Sequence, residues 1–343
     1  MIVRGWGGSV AAAVGVAAAV GAAQLGLGYG MDIISWAPGA DGLSSEAWIS
    51  SLTWATWVSA TSAIAGAVVA DRLGSHSSDP SEPIPGEAVE APESGPGQPA
   101  GGDRLTGALW RLVLATAAAI GAGAAVALVA IPARVAEVAE TSAPQAVAAG
   151  YAVVGLVVGL VAAVGALASR AVTANLIATA AWLWLLAVVA VVDGVVAGRD
   201  WSRVPLGFWE FTSAEPWFRN IFLPDAGLAL AAALVIGALA ALPAARRGDR
   251  PVGVVVSGAV GPLVLAAAYL LSQPDLVGAD AVDLSRHLVA PYLIVAGLLG
   301  SLLVSAVRPR TRKPAPDQPD DPDFAIPAAR GTAKVEEPAA TAS

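Results

Sequence analysis

Eight runs of about 20 apolar residues, none with a charge at its centre, recur along this chain at about 9–30, 48–70, 105–131, 147–169, 172–193, 226–245, 251–272 and 287–307. As a helix, each is long enough to cross the ~30 Å hydrocarbon core of a bilayer. Hydrocarbon offers no partner for a free N–H or C=O, so a spanning segment is either helical or part of a closed barrel. Continuous apolar runs, in place of ~10-residue stretches of alternating polarity, select helices. The sequence therefore predicts an all-α, polytopic transmembrane helical bundle of about eight spans, with the lipid bilayer as its first partner.

Composition agrees with this class and removes others. Hydrophobic residues make up 56% of the chain and charged residues 13%, against roughly 45–50% and about 25% in soluble domains. Much of the formal charge of −8 comes from two segments, 74–103 with six acids and 314–343 with six acids, one Arg and one Lys. The rest is close to balanced, which leaves no basic face for nucleic acid. The absence of cysteine excludes disulfides, thiolate metal sites and Cys nucleophiles. With only two His in the chain, no imidazole-rich metal site is expected, and no cofactor. Seventeen Arg against two Lys, with abundant Ala, Val and Gly, resembles the usage of a GC-rich bacterial genome. The expected location is a bacterial plasma membrane.

Loop charges set the expected orientation, because Lys and Arg collect on the cytoplasmic side. With the N-terminus inside, 14 of the 19 basic residues are cytoplasmic, and only Arg134, Arg199, Arg203, Arg219 and Arg286 lie outside. The reading is N-in and C-in. The first run has Arg4 before it, but its 22 apolar residues exceed the ~7–15 of a signal-peptide core, so it is read as an uncleaved span. Four regions follow: a first transmembrane hairpin (1–73), a linker (74–103), a six-span bundle (104–308) and a tail (309–343). The linker and tail are rich in Pro and acids and poor in apolar residues, so both are expected to be disordered in the cytoplasm. The spans pair into four hairpins of similar length, each ending on a small-residue helix that runs into Arg; such endings fit a duplication, but they are read more simply as what any outside-to-inside helix of small residues looks like.

The helices themselves carry little chemistry. Ionisable groups at mid-membrane depth mark transport pathways, and the span centres carry none. Their polar residues are Gln24, Thr53, Thr56, Ser59, Thr61, Ser62 and Asn175, read as interhelical glue with hydroxyls returned to the backbone. Gly155 and Gly159 form a small-residue pattern suited to close helix packing, and Pro262 should kink the seventh span. Trp182 and Trp184, near the centre of the fifth span, are read as filling gaps between small neighbours. Asp280, Asp283 and His287 would share a face if helical, but they read more simply as a cap and a headgroup-level ring before the last span. No phosphate loop, H-E-x-x-H or G-x-S-x-G motif is present, so no enzyme is expected.

One stretch departs from this pattern. DWSRVPLGFWEFTSAEPWFRNIFLPD, residues 200–225, holds seven of the chain's twenty aromatic residues and belongs to the longest outer loop, 194–225. Pro205, Pro216 and Pro224 cut it into short pieces with aromatic faces, suited to lying flat in the interface plane. Aromatic residues beside Arg are also the types enriched in binding hot spots. Trp201, Arg203, Trp209, Glu210, Glu215, Trp217 and Arg219 are thus the candidate outer surface for a partner or ligand, with Trp36 and Trp48 as an extension of it. The expected function is a non-catalytic accessory or scaffold subunit that meets other membrane proteins or lipids at this surface. The alternative is a transporter or lipid-handling permease for a neutral or amphipathic substrate.

Overall fold

The computed structural model describes residues 3–37, 44–76, 100–138, 141–198, 204–209, 223–272 and 281–307, except the side chains of 3–5, 76, 100–104, 223 and 281–283. Among the described residues are eight α-helices and no strand: α1 (Val3–Gly30), α2 (Ser45–His76), α3 (Ala100–Ala130), α4 (Pro144–Ala168), α5 (Arg170–Ala197), α6 (Leu223–Arg247), α7 (Pro251–Ser272) and α8 (Ala281–Val307). All eight are long and apolar enough to cross a membrane, as the sequence predicts. α2 continues to His76 and α3 starts at Ala100, so both reach into the segment read as linker. Backbone hydrogen bonding does not stop where the apolar run stops. Residues 77–99 and the tail 309–343, where disorder is expected, lie outside the described residues.

The helix ends follow local chemistry. α4 opens on Pro144, whose missing N–H costs nothing in a first turn. Ser169 separates α4 from α5 by turning extended, at φ −148° and ψ 120°, and its hydroxyl accepts from the Val172 N–H. α5 ends on Gly198 in the left-handed conformation, φ 62°.

α2 is the axle of the bundle. Its apolar stretch is 89% buried, against 22–61% for the other seven helices, and it packs on α1, α3, α4 and α7. It is also the span richest in hydroxyls, so the helix least suited to lipid is the one the others enclose. The expected return of hydroxyls to the backbone is seen at four of the five singled-out positions on α2, whereas the Ser59 hydroxyl is buried without a hydrogen-bond partner. Thr53, Thr56, Thr61 and Ser62 each donate to the carbonyl four residues earlier, at 2.8, 3.0, 2.9 and 2.6 Å.

Small residues make the enclosure possible. On α4, Ala148, Ala152, Gly155, Gly159, Ala162 and Ala166 are buried at alternating spacings of four and three. That 3.5-residue period keeps one seam on the partner helix. A Cβ on Gly155 would overlap the Thr56 carbonyl, and one on Gly159 would meet the backbone of Ala60, so α4 lies directly on the α2 main chain. The small-residue pattern therefore acts within the chain.

The pairing of helices recurs with a period of four. Within α1–α4 the packed pairs are α1·α2, α1·α3, α2·α3, α2·α4 and α3·α4, and within α5–α8 the corresponding five pairs recur. Close glycine contacts recur too. Gly121 of α3 meets Val14 of α1 as Gly261 of α7 meets Asn175 and Thr179 of α5, and Gly300 of α8 lies on Leu234 of α6 as Gly155 lies on Thr56. The recurring unit is thus a four-helix half. Contacts α2·α7, α4·α5 and α4·α7 join the halves.

Gly155→Ala should destabilise the protein by about 1–3 kcal/mol, the usual cost of overpacking, although Ala normally favours a helix over Gly by ~1 kcal/mol. Gly150→Ala, which meets no atom within 4 Å, should be neutral or stabilising. Thermal unfolding of the two variants in detergent checks the contrast, and equal melting temperatures would contradict the close α2–α4 contact.

Candidate functional site

The described part of the aromatic loop, residues 204–209, does not lie flat on a surface. Val204, Leu206 and Phe208 are 2%, 1% and 2% exposed, and Pro205 and Gly207 are buried with them. The segment turns back into the end of the bundle opposite the N-terminus, here termed the distal face. The expected interface strap is corrected at these residues. Val, Leu and Phe lose more by exposure than the backbone loses by burial, provided that its carbonyls find donors.

The carbonyls do find donors. Trp54 Nε1 donates to the Val204 carbonyl at 2.8 Å and Ser50 Oγ donates to the same oxygen at 3.1 Å. The Tyr269 hydroxyl donates to the Leu206 carbonyl at 2.7 Å. Phe208 then packs edge-on against the Tyr269 ring, with centroids 5.5 Å apart. Gly207 makes the turn at φ 78°, and a Cβ there would stand 2.8 Å from Leu183 Cδ2. The segment is therefore pinned to α2, α5 and α7 at once.

A polar shell backs the pin. Thr53 and Ser272 hydroxyls lie 2.7 Å apart across α2 and α7. His287 of α8 stacks edge-on against Tyr269, with centroids 5.3 Å apart, and its Nε2 lies 3.2 Å from the Tyr269 carbonyl. Ser285, Arg286 and His287 are 4%, 3% and 3% exposed. His287 is thus a buried ring of the bundle end, not the headgroup-level residue expected from sequence. The cavity beside Glu46, Thr53, Leu206, Arg286 and His287 holds only about 20 Å³, room for about one water and not a substrate. Chemically, the arrangement is a lock on a backbone segment.

The structure brings together few of the residues singled out by sequence. Trp209 is half-buried at the end of the pinned segment. Trp201, Arg203, Glu210, Glu215, Trp217 and Arg219 lie outside the described residues, as does Asp280, and the side chain of Asp283 is likewise undescribed. Trp36 and Trp48 do not extend an exposed aromatic surface. They are 3% and 7% exposed and pack edge to face at 5.2 Å, and Trp36 Nε1 donates to the Tyr29 hydroxyl at 3.2 Å.

Sequence reasoning missed Ser50, Trp54 and Tyr269, because their partners are carbonyl oxygens, which every residue carries. It also read Trp184 as filler alone. Trp184 packs on Trp54 with centroids 5.1 Å apart, and its Nε1 donates to Gln24 Oε1 at 3.0 Å. Gln24 also accepts from Thr61 at 3.1 Å and donates to Ser62 at 3.3 Å, which ties α1, α2 and α5 together. Asn175 is 0% exposed and accepts the Gly261 N–H at 2.8 Å, beside Pro262 in α7. Among the described residues, no group of three His, Asp or Glu is placed to hold a metal.

No family model matches the chain, and comparison with curated proteins and with solved structures likewise returns no match. The described residues form eight helices long and apolar enough to cross a membrane, compatible with an integral membrane protein, and the chain's own geometry carries the functional reading.

Removing the Tyr269 hydroxyl should loosen the pin by about 1 kcal/mol, the net worth of one such hydrogen bond, and so raise the open population about fivefold. Tyr269→Phe should therefore speed limited trypsin cleavage at Arg199, Arg203 and Arg219 by a similar factor. Unchanged cleavage would mean that the Leu206 contact does not hold the loop.

Proposed function

We propose that this chain is a non-catalytic accessory or scaffold subunit of a bacterial plasma membrane, which presents the aromatic loop to a partner. One observation carries the reading: the middle of that loop is buried and hydrogen-bonded to α2 and α7. A segment held this way gives the flanking Trp, Arg and Glu residues a fixed base, so less ordering entropy is lost when a partner docks. Dense packing around α2 also supports a scaffold over a transporter. Trp54, Trp57 and Ser59 at its centre are 0% exposed, and the neighbouring hydroxyls are turned to backbone carbonyls.

Trp209→Ala combined with Trp217→Ala should leave folding and insertion intact and weaken partner retention on native co-purification by at least about tenfold, as expected for hot-spot aromatics. A double variant that retains the same partners and supports the same cellular phenotype as the wild type would defeat the docking reading.

Orientation is open to a separate test. Because the chain has no cysteine, Ser81→Cys in the linker and Ser213→Cys in the loop are each unique thiols. An impermeant maleimide should label Ser213→Cys in intact cells and Ser81→Cys only after permeabilisation. The reverse pattern would invert the N-in, C-in assignment.

A further inference from the structure

Two buried side chains one turn apart on α5 hold hydrogen-bonding atoms with no partner in the protein, Asn175 Nδ2 and Thr179 Oγ1. Asn175 is 0% exposed and Thr179 5%. A polar group left unpaired at such a depth is costly, because hydrocarbon supplies no substitute. Four hydroxyls of α2 escape the cost by donating to the carbonyl four residues back. Thr179 does not, although the Asn175 carbonyl stands at that position.

The pair faces a break in α7. Asn175 Oδ1 accepts the Gly261 N–H at 2.8 Å, and this fixes the amide, since its NH₂ must point away from that donor. Pro262 follows and has no N–H to give the Gly258 carbonyl. One rung of the helix ladder is thus shared with a side chain, and the next is missing. Gly261 lets α5 approach this closely: a Cβ there would overlap Thr179 Oγ1 and stand 2.6 Å from Asn175 Oδ1. A cavity of about 20 Å³ opens beside Thr179, with Leu183, Gly207, Pro262 and Leu265 also in its wall. That is room for about one water. The matching crossing of the first half lacks this set. There Gly121 meets the Val14 main chain, and Ala122 follows it where Pro262 follows Gly261.

We infer that one water molecule is bound at the α5–α7 crossing, accepting from the Asn175 amide and hydrogen-bonded to the Thr179 hydroxyl. The chemistry selects this ligand. Nδ2 offers only protons, so it calls for a lone pair and disfavours a cation. The hydroxyl works in either direction, and the volume admits nothing larger. The water satisfies both groups and ties α5 to α7 at the break. On one side of that break Gly258 is set against Gly297 of α8, and on the other Tyr269 holds the Leu206 carbonyl. The site does not depend on whether the aromatic loop meets a partner.

A crystal structure of the full chain, grown from lipid and resolved well enough to show ordered water, tests this directly. A water should lie within hydrogen-bonding distance of both Thr179 Oγ1 and Asn175 Nδ2. Thr179→Ser should keep it, and Thr179→Val should lose it. Ordered side chains with no water between them would overturn the proposal, as would a hydrogen bond made directly from one side chain to the other.

Unfolding of the full chain in an SDS titration gives a second reading, because the isosteric Thr179→Val change separates the two cases by sign. With water bound, loss of the hydroxyl leaves the water and the amide short of a partner, and the unfolding constant should rise about fivefold, the worth of about one hydrogen bond. With no water bound, the hydroxyl is an unpaired buried group, and its removal should leave the constant unchanged or lower it. An unchanged or lowered constant therefore contradicts the proposal.

Discussion

The contact between α2 and α4 is the one on which the bundle rests. α2 carries Thr, Ser and Trp at membrane depth, and hydrocarbon penalises such a helix unless other helices cover it. Covering it closely on the α4 side requires a neighbour with almost no side chains. The Ala and Gly seam of α4 supplies this, and Gly155 and Gly159 bring its backbone onto that of Thr56 and Ala60. With no hydrophobic force between helices in lipid, van der Waals contact of this kind is what holds them. Trp54 and Trp57 of the same helix are fully buried, and Trp54 packs on Trp184 of α5.

Repetition and function divide differently over the molecule. The two halves share a pairing scheme, with glycine contacts at matching places. Across their seam, however, the ends differ. At the distal face the seam is filled by Val204–Phe208, held by Ser50 and Trp54 from the first half and by Tyr269 from the second. At the N-terminal face no described segment fills it, and a cavity with an Arg on each side remains. A repeated frame thus has one end filled by a loop segment and one end with an open cavity.

Much of the frame was legible. Eight helices follow from run length and apolarity, because the bilayer imposes a minimum length and forbids unpaired backbone. The hydroxyls of Thr53, Thr56, Thr61 and Ser62 were also read correctly, since a helical Ser or Thr always has a carbonyl four residues back within reach. The site was legible only as an anomaly. Its aromatic content marked 200–225 as unusual, but nothing local indicates that VPLGF folds inward while its neighbours carry charge. Trp36, Trp48 and His287 were misplaced for a related reason: a residue near the end of a span reads as interfacial, whether or not a neighbouring segment covers it.

What the sequence determined by itself is therefore the class of molecule and the number of its spans, because those depend on transfer from water to hydrocarbon, a property of each segment alone. Which helix stands at the centre, which glycines touch, and that a loop segment plugs one end were decided only by the tertiary structure. These outcomes depend on pairs of segments distant in the chain. Trp54 meets Val204 and Gly261 meets Asn175 across 150 and 86 residues, through backbone atoms that no residue type announces.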